Sequence, residues 1–327
     1  MAERQREIMD GLLNFLWGDG MKAVRIHRFG GPEVVVIEDV PVPTPGEQEV
    51  LVRVAAAGVA PWDALIREGL SKVSPQPPLT LGSDLSGVIE AVGKGVSGFA
   101  AGDEIYGVTN PQFCGAQAEY AVAAAEMIAL KPPLLDFAEA ASAPVIAVTA
   151  WQMLFEYAQA KRGETVMILG AAGNVGAYAT QMAIDAGASV LAVAKAKDEP
   201  LLLSLGAQSI VNASTPQLEK HLPQVDAILD CVGGSLLELC LPALKPGGKL
   251  VTVVSTQPLP HRADVQPIFF YAEVTEARLH TLTTLFEEGR IAPRVGSIIP
   301  LDDACTAHQM LAGAPHKPGK IVLQIQQ

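Results

Sequence analysis

The rhythm of apolar positions changes near Pro144. Between residues 21 and 130, short runs rich in β-branched side chains predict strands at Lys22–His27, Val34–Glu38, Glu49–Ala57, Leu85–Val92, Glu104–Val108 and Glu119–Ala123. Turn signals such as Gly30-Gly31-Pro32 and Pro41-x-Pro43-x-Pro45-Gly46 separate them. From Pro144 to Ala160 the apolar residues fall at helical spacing through Trp151, Leu154 and Phe155, with proline at the start, and predict a helix. Strand-like runs then alternate with helical stretches: Thr165–Leu169, Ser189–Ala194, Ser209–Val211, Val225–Cys231 and Lys249–Val254. Leu244–Lys249, LKPGGK, reads as the turn feeding the last of these. Such alternation predicts a doubly wound parallel sheet with helices on both faces, so the fold class is α/β with a second, β-rich domain. The tail, Ile291–Gln327, returns to short strands around one helix, Leu301–Ala312, and is expected to pair back onto the N-terminal β region.

The stretch Thr165–Ala183, TVMILGAAGNVGAYATQMA, joins an apolar strand to a helix of small residues through a glycine turn. The turn Ala171-Ala172-Gly173-Asn174-Val175-Gly176 is a variant of the dinucleotide fingerprint with alanine at its first glycine. A helix start offers unpaired N–H groups and positive dipole density to a pyrophosphate. In that reading Gly173 admits the phosphate to the backbone, and Gly176 with Ala177, Ala179 and Ala183 lets the helix lie close on its sheet. Cofactor choice is read where the second strand of the unit ends, Ala192-Val193-Ala194-Lys195, followed by Lys197. An acid there would bind ribose hydroxyls, whereas a lysine attracts a 2′-phosphate, so NADPH is the expected cofactor. The alternative for Lys195 is a solvated surface lysine.

Composition narrows the setting. The chain has 327 residues, 49% hydrophobic and 18% charged, enough for about two domains with sizeable cores. A net charge of −12 argues against nucleic acid or an anionic membrane as partner, and no apolar run approaches a membrane span. Four cysteines, Cys114, Cys231, Cys240 and Cys305, and six histidines are scattered without metal-ligand spacing, which predicts a reducing, cytoplasmic compartment and no structural zinc. Residues 1–20 stand apart as a leader segment without the marks of a signal peptide, readable as a short helix packed on a neighbour, as an over-long start, or as an oligomer-forming helix. The domain expectation is therefore 1–20 leader, 21–143 plus 291–327 β-rich domain, and 144–290 dinucleotide-binding domain; the expected assembly is a homodimer.

Taken in order, MKAVRIHRFGGPEVVVIEDVPVP (21–43), PLTLGSDLSGVIEAVG (78–93), GDEIYGV (102–108), TAWQML (149–154), GAAGNVG (170–176), LKPGG (244–248) and GKIVL (319–323) form a specific set. The chain resembles the medium-chain dehydrogenase/reductase superfamily over residues 21 to 327, and within it the zinc-independent quinone oxidoreductase, zeta-crystallin-like group. The resemblance implies a GroES-like catalytic domain interrupted by a Rossmann domain. Zinc-dependent members carry a cysteine in the segment that here reads Gly58-Val-Ala-Pro-Trp-Asp63, Gly-His-Glu where this chain has Gly82-Ser83-Asp84, and a four-cysteine lobe that is missing here. The resemblance thus implies a metal-free enzyme. Quinone oxidoreductases usually read Asn-Pro-x-Asp where this chain has Ala60-Pro61-Trp62-Asp63, so the amide that could orient a substrate carbonyl is absent and a tryptophan enters the loop.

Without zinc to acidify an alcohol, the easier reaction is reduction: hydride passes from NADPH to a quinone or to the C=C of an α,β-unsaturated carbonyl, while donors hold the developing oxyanion. The resemblance puts Trp62 and Asp63 in the substrate loop, Tyr106 and Asn110 at the mouth of the site, and Thr149 beside the nicotinamide. Alternative readings are a core aromatic for Trp62, a helix N-cap for Asp63 and a structural tyrosine for Tyr106. Further cofactor contacts are implied at Val232, Val254 and Ser255, and at Phe269, Phe270 and Lys320, which would close the site; Asp230 reads as a structural hydrogen-bonding residue. A competing class of function is an NADPH-binding sensor or a crystallin-like structural protein without useful catalysis.

Overall fold

The computed structural model describes residues 20–254 and 262–326. The leader expectation, but for Gly20, and the cofactor expectation at Ser255 lie outside the described residues. The chain divides into two units, one of Met1–Pro144, Val274–Thr283 and Pro293–Gln327, the other of Val145–Glu273 and Thr284–Ala292. Val274–Thr283, placed by sequence with the dinucleotide-binding domain, belongs to the first unit; there the buried Tyr106 hydroxyl donates to Leu279 O at 2.8 Å.

In the second unit six strands are all parallel, in the order Ser209–Asn212, Ser189–Ala194, Thr165–Leu169, Val225–Asp230, Leu244–Thr252, Ile268–Phe269. The chain runs outward from Thr165–Leu169 in one direction, then returns beside it and runs in the other. That reversal opens a crevice at the carboxyl ends of the central strands, where ligands of such sheets bind. Continuous apolar runs suit strands covered on both faces: Met167, Leu169, Leu191, Val193, Ile228 and Leu250 share one buried cluster. The LKPGG segment is no free turn. Leu244 already pairs with Val225, and a register shift follows before Lys249 pairs with Ala227, so the expected turn is the bulged start of a strand.

The first unit holds a seven-stranded sheet and a three-stranded one. Glu49–Val59 is central to the larger sheet, pairing with Asp84–Val92, with Tyr120–Ala124 and, at its far end, with the C-terminal strand Lys320–Gln324. The tail therefore completes this sheet, with Ile321 opposite Val59. Val24, Ile26, Val59, Ile66, Leu81, Leu301 and Leu323 form a core cluster against which Trp62 packs. Burying each such side chain contributes roughly 1.5–3 kcal/mol. Among the described residues no helix is long and apolar enough to cross a membrane.

Candidate active site

The glycine turn of the second unit follows strand Thr165–Leu169 and opens helix Asn174–Asp185. Gly170 has φ +75°, and a Cβ there would lie 2.8 Å from Val232 Cγ2. Gly176 is the packing glycine: a Cβ would meet Gly170 O at 2.2 Å and Ala171 Cα at 2.8 Å. Ala171, Ala177, Ala179 and Ala183 are fully buried, so the helix lies on its sheet with nothing larger than a methyl group at these contacts. Gly173, exposed at the helix N-cap, accepts from Ala177 N–H at 2.9 Å, while Ala172, Asn174 and Val175 are half-buried around it. The N–H groups of the first turn have no partner within the helix, which makes this cradle suitable for a pyrophosphate.

Asp230 organises the neighbouring strand end. Its Oδ1 accepts from the amides of Val232 (3.0 Å) and Gly233 (2.7 Å), and its Oδ2 accepts from the Thr252 hydroxyl at 2.7 Å. It is fully buried and structural, as its sequence context indicates. Val232 is exposed, and Val254, half-buried, has Cγ1 only 2.9 Å from where a Cβ on Gly233 would sit. Burial, then the charge of Asp230, pushes the Cys231 thiol up to about 12 and that of Cys240 up to about 11; burial also raises Cys114. None of these three is a poised thiolate.

Lys195 directly follows strand Ser189–Ala194 and is exposed, as is Lys197. The Thr149 hydroxyl donates to Val145 O at 2.6 Å inside its own helix, so toward a ligand it offers only an acceptor. Phe270 is buried with its ring 4.4 Å from that of Tyr157, whereas Phe269 is half-buried and meets Tyr271 edge-on at 5.1 Å.

In the first unit Tyr106, Asn110 and the Trp62–Asp63 pair occupy three separate environments. Tyr106 is fully buried, and besides Leu279 O its hydroxyl meets Thr283 Oγ1 at 3.0 Å; this corrects its placement at the mouth of a site, because both hydrogen bonds fasten it inside the unit. Asn110 shapes its own loop, donating to Cys114 O at 2.9 Å and accepting from Gln112 N–H at 3.0 Å. Trp62 and Asp63 occupy the first turn of helix Pro61–Arg67, whose N-cap is Ala60. The N-cap reading of Asp63 is corrected accordingly: from the third helical position its Oδ2 reaches back to accept from Ala60 N–H at 2.8 Å.

Around that turn lies a buried charge cluster. Lys320 Nζ is 2.6 Å from Asp84 Oδ2, both side chains 1% exposed, and 4.4 Å from the centroid of the Trp62 ring. The Trp62 indole N–H donates to Ser83 Oγ at 2.9 Å. Asp63 is fully buried, its Oδ1 without a hydrogen-bond partner. Burial pushes its carboxyl up to about 7, against the downward pull of the Lys320 charge and the Ala60 amide. Lys320, expected at a cofactor, thus has its ammonium engaged by Asp84 and Trp62.

A second buried chain escapes sequence reasoning entirely. Arg67 Nη1 faces His308 Nδ1 at 3.2 Å, and His308 Nε2 faces Gln117 Oε1 at 3.1 Å. Arginine only donates, so Nδ1 accepts and the proton sits on Nε2. Burial, then the Arg67 charge, lowers the imidazole to about 3, which agrees with that neutral form. Gly82 has φ +90° and would set a Cβ 2.4 Å from Gln117 Cγ, so the turn before Ser83 requires glycine.

In the segments where the resemblance puts the ligands of zinc-dependent members, Gly58–Asp63 has no cysteine, Ser83 is engaged by Trp62, and Asp84 is bound to Lys320. Among the described residues no group of three or more His, Cys, Asp or Glu side chains could hold a metal ion. The donor set does not fit zinc. The glycine cradle, by contrast, does fit a dinucleotide.

A unit with this strand order and glycine turn, in one chain with a β-rich unit completed by the C-terminal strand, is the architecture of the medium-chain dinucleotide-dependent oxidoreductases. Residues 46–133 match the alcohol dehydrogenase GroES-like domain, and residues 205–323 match the zinc-binding dehydrogenase model. Quinone oxidoreductase from Sus scrofa is 32% identical, over 93% of this chain and 97% of that protein. The chloroplastic NADPH-dependent alkenal/one oxidoreductase of Arabidopsis thaliana is 30% identical, over 93% of this chain and 79% of that one. The solved quinone oxidoreductase from Coxiella burnetii superposes with a TM-score of 0.85 at 30% identity, covering 94% of this chain and all of that one. The chain belongs to the medium-chain dehydrogenase/reductase family, in its quinone oxidoreductase group, whose members use a nicotinamide cofactor.

Proposed function

We propose that this protein is an NADPH-dependent, zinc-independent reductase of quinones or of the C=C bond of α,β-unsaturated carbonyl compounds. The observation that carries this reading is the donor set around Ser83: Gly58–Asp63 has no cysteine, Ser83 is engaged by Trp62 and Asp84 by Lys320, which leaves no site at these positions for a zinc ion that would acidify an alcohol. The relatives named for quinone and alkenal/one reduction support the acceptor class. A bound NADPH supplies the hydride. The backbone at Gly173–Gly176 holds the pyrophosphate, Lys195 attracts the 2′-phosphate, Trp62 forms a wall of the acceptor pocket, and Asn110 or a backbone N–H holds the acceptor oxygen. Small-molecule acceptors are the partners, in a homodimer located in the cytoplasm.

The test is NADPH consumption with a panel of quinones and enones, beside NADP⁺ reduction with ethanol and a sugar alcohol. The expected result is turnover of at least one quinone or enone, none of the alcohols, and no loss of activity with a chelator. Turnover of alcohols alone, or zinc-restored activity after chelation, overturns the reading. A second reading, an NADPH-binding protein without useful catalysis, is favoured by Ala60, where the family's amide is missing. It predicts tight NADPH binding with every acceptor left untouched.

Lys195 gives a separate expectation. The KM for NADPH should be at least about tenfold below that for NADH, a ratio worth roughly 1.4 kcal/mol. Lys195→Asp should reverse or abolish the preference, read from initial rates with both cofactors. Equal use of the two by the unaltered enzyme argues against a 2′-phosphate site here.

A further inference from the structure

The pair Ser83–Asp84 grips Trp62 from two sides. The Ser83 hydroxyl takes the indole N–H in the plane of the ring at 2.9 Å. Asp84 acts on the ring face through Lys320, whose ammonium it holds at 2.6 Å and which stands 4.4 Å from the ring centroid. Ser83, Asp84 and Lys320 are all buried, while Trp62 is half-buried. A desolvated ammonium over an indole face is strongly attracted to it, and a buried hydroxyl acceptor fixes the rotation of the ring about its own axis.

The surroundings leave this arrangement little slack. Strand Lys320–Gln324 is locked by Ile321 opposite Val59 and Val322 opposite Gly58, and the Lys320 side chain runs past Gly58. A Cβ on Gly58 would lie 2.8 Å from Lys320 Cε, 2.8 Å from Ala141 O and 2.9 Å from Asp84 Cβ, so the lysine stem fits only over glycine. The Trp62 backbone is held by the helix start, with Pro61 at its first position and Asp63 bonded back to Ala60 N–H. Tryptophan backbone, ring plane and ring face are each tied to a different buried group. Packing of an aromatic against a core needs no such set of polar ties.

We propose that Ser83 and Lys320, with Asp84 as counterion, are positioning residues that clamp Trp62 as a rigid wall and thereby set the acceptor range of the enzyme. The proposal rests on the reading of the protein as a quinone or enone reductase. A fixed flat wall admits planar acceptors and rejects branched ones; a loosened ring would yield to bulk, and the effect would appear in acceptor KM.

Two readouts decide it. In ¹⁵N-labelled protein the Trp62 indole resonance is assigned by its disappearance in Trp62→Phe; Ser83→Ala should move it upfield, and Ser83→Thr, which keeps a hydroxyl, should restore it. In kinetics, Ser83→Ala should shift the kcat/KM ratio of branched to planar acceptors by about fivefold or more, in the direction of Trp62→Ala and carried by KM. The Trp62→Ala/Ser83→Ala double variant should add nothing to Trp62→Ala alone. Asp84→Asn combined with Lys320→Met, which removes both charges together, should shift the same ratio the same way. An unmoved resonance in Ser83→Ala, an unchanged acceptor ratio, or additive effects of the two substitutions would overturn the clamp. If no quinone or enone is reduced at all, the claim on acceptor range falls with the proposed function, and the resonance alone decides whether the clamp stands.

Discussion

Gly176→Val should remove dinucleotide binding, raising Kd for NADPH by about 100-fold or more, equivalent to roughly 2.7 kcal/mol. The first atom of any side chain there meets backbone: Gly170 O at 2.2 Å and Ala171 Cα at 2.8 Å. Backbone cannot rotate out of the way as a side chain can, so helix Asn174–Asp185 must lift from the turn that cradles the phosphates. Overpacking of this kind also destabilises, typically by about 1–3 kcal/mol. Gly173→Ala provides the contrast. Its φ of −72° is ordinary, and its Cβ would be 3.1 Å from Gly170 O, a contact that a shift of a few tenths of an ångström relieves. This variant should unfold close to the parent temperature and still lose affinity, because the methyl group stands where phosphate approaches. Titration calorimetry with NADPH and thermal unfolding on both variants separate the two roles. Parent-like affinity in Gly176→Val would remove the turn from the cofactor site, and an equal loss of stability in both variants would dissolve the distinction between packing and ligand space.

That contrast marks the limit of what sequence discloses. Thr165–Leu169, Ser189–Ala194 and Glu104–Val108 are strands with the bounds that their apolar runs predict, because each is a buried run flanked by a glycine, acidic or small-residue boundary. Where polar side chains decide, the pattern is silent. Pro144–Ala160 predicts one helix; the chain instead runs α-helical to Trp151 and widens over Gln152–Tyr157, where Ala158 N–H bonds to Met153 O five residues back. Gln152 sits at the change, its Nε2 on Glu156 and its Oε1 accepting from Glu273 N–H, the latter a partner 121 residues away. Val34–Glu38 predicts a strand, but Pro32 seeds a 3-10 turn over Pro32–Val34 and pairing begins at Val36.

The site shows the same division. The glycine turn is legible because its residues are contiguous and each has a steric reason to be small. The charge cluster is not, because Asp84 and Lys320 lie 236 residues apart and meet only through the pairing of Lys320–Gln324 with Glu49–Val59. Ser83 and Asp84 first draw attention as residues where a metal ligand set is broken. Their positive role, one toward the indole N–H and one toward an ammonium, emerges only when strand order places them.

The same cluster carries a large expected effect of pH on stability. It holds two carboxylates, Asp63 and Asp84, and one ammonium, Lys320, all buried. Asp84 and Lys320 neutralise each other at 2.6 Å, which leaves Asp63 as the group whose ionisation creates a net buried charge. Its carboxyl sits at about 7 in the folded protein against 3.8 ordinarily, mainly through burial. An acid with a raised folded pKa binds its proton more tightly in the folded state, so the contribution of Asp63 to stability falls as pH rises between about 4 and 7 and levels off above, opposite in sign to that of the neutral His308. The full difference amounts to about 4 kcal/mol. Asp63→Asn abolishes the titration while its amide oxygen can still accept from Ala60 N–H. The variant should match the parent near pH 4 and exceed it increasingly up to about pH 7, with the excess levelling off above, measured by urea unfolding at a series of pH values. Below pH 4 the comparison reports only the exchange of a protonated carboxyl for an amide. A deficit of constant size at every pH would mean that Asp63 is ionised throughout, stabilised by Lys320 against the cost of its burial.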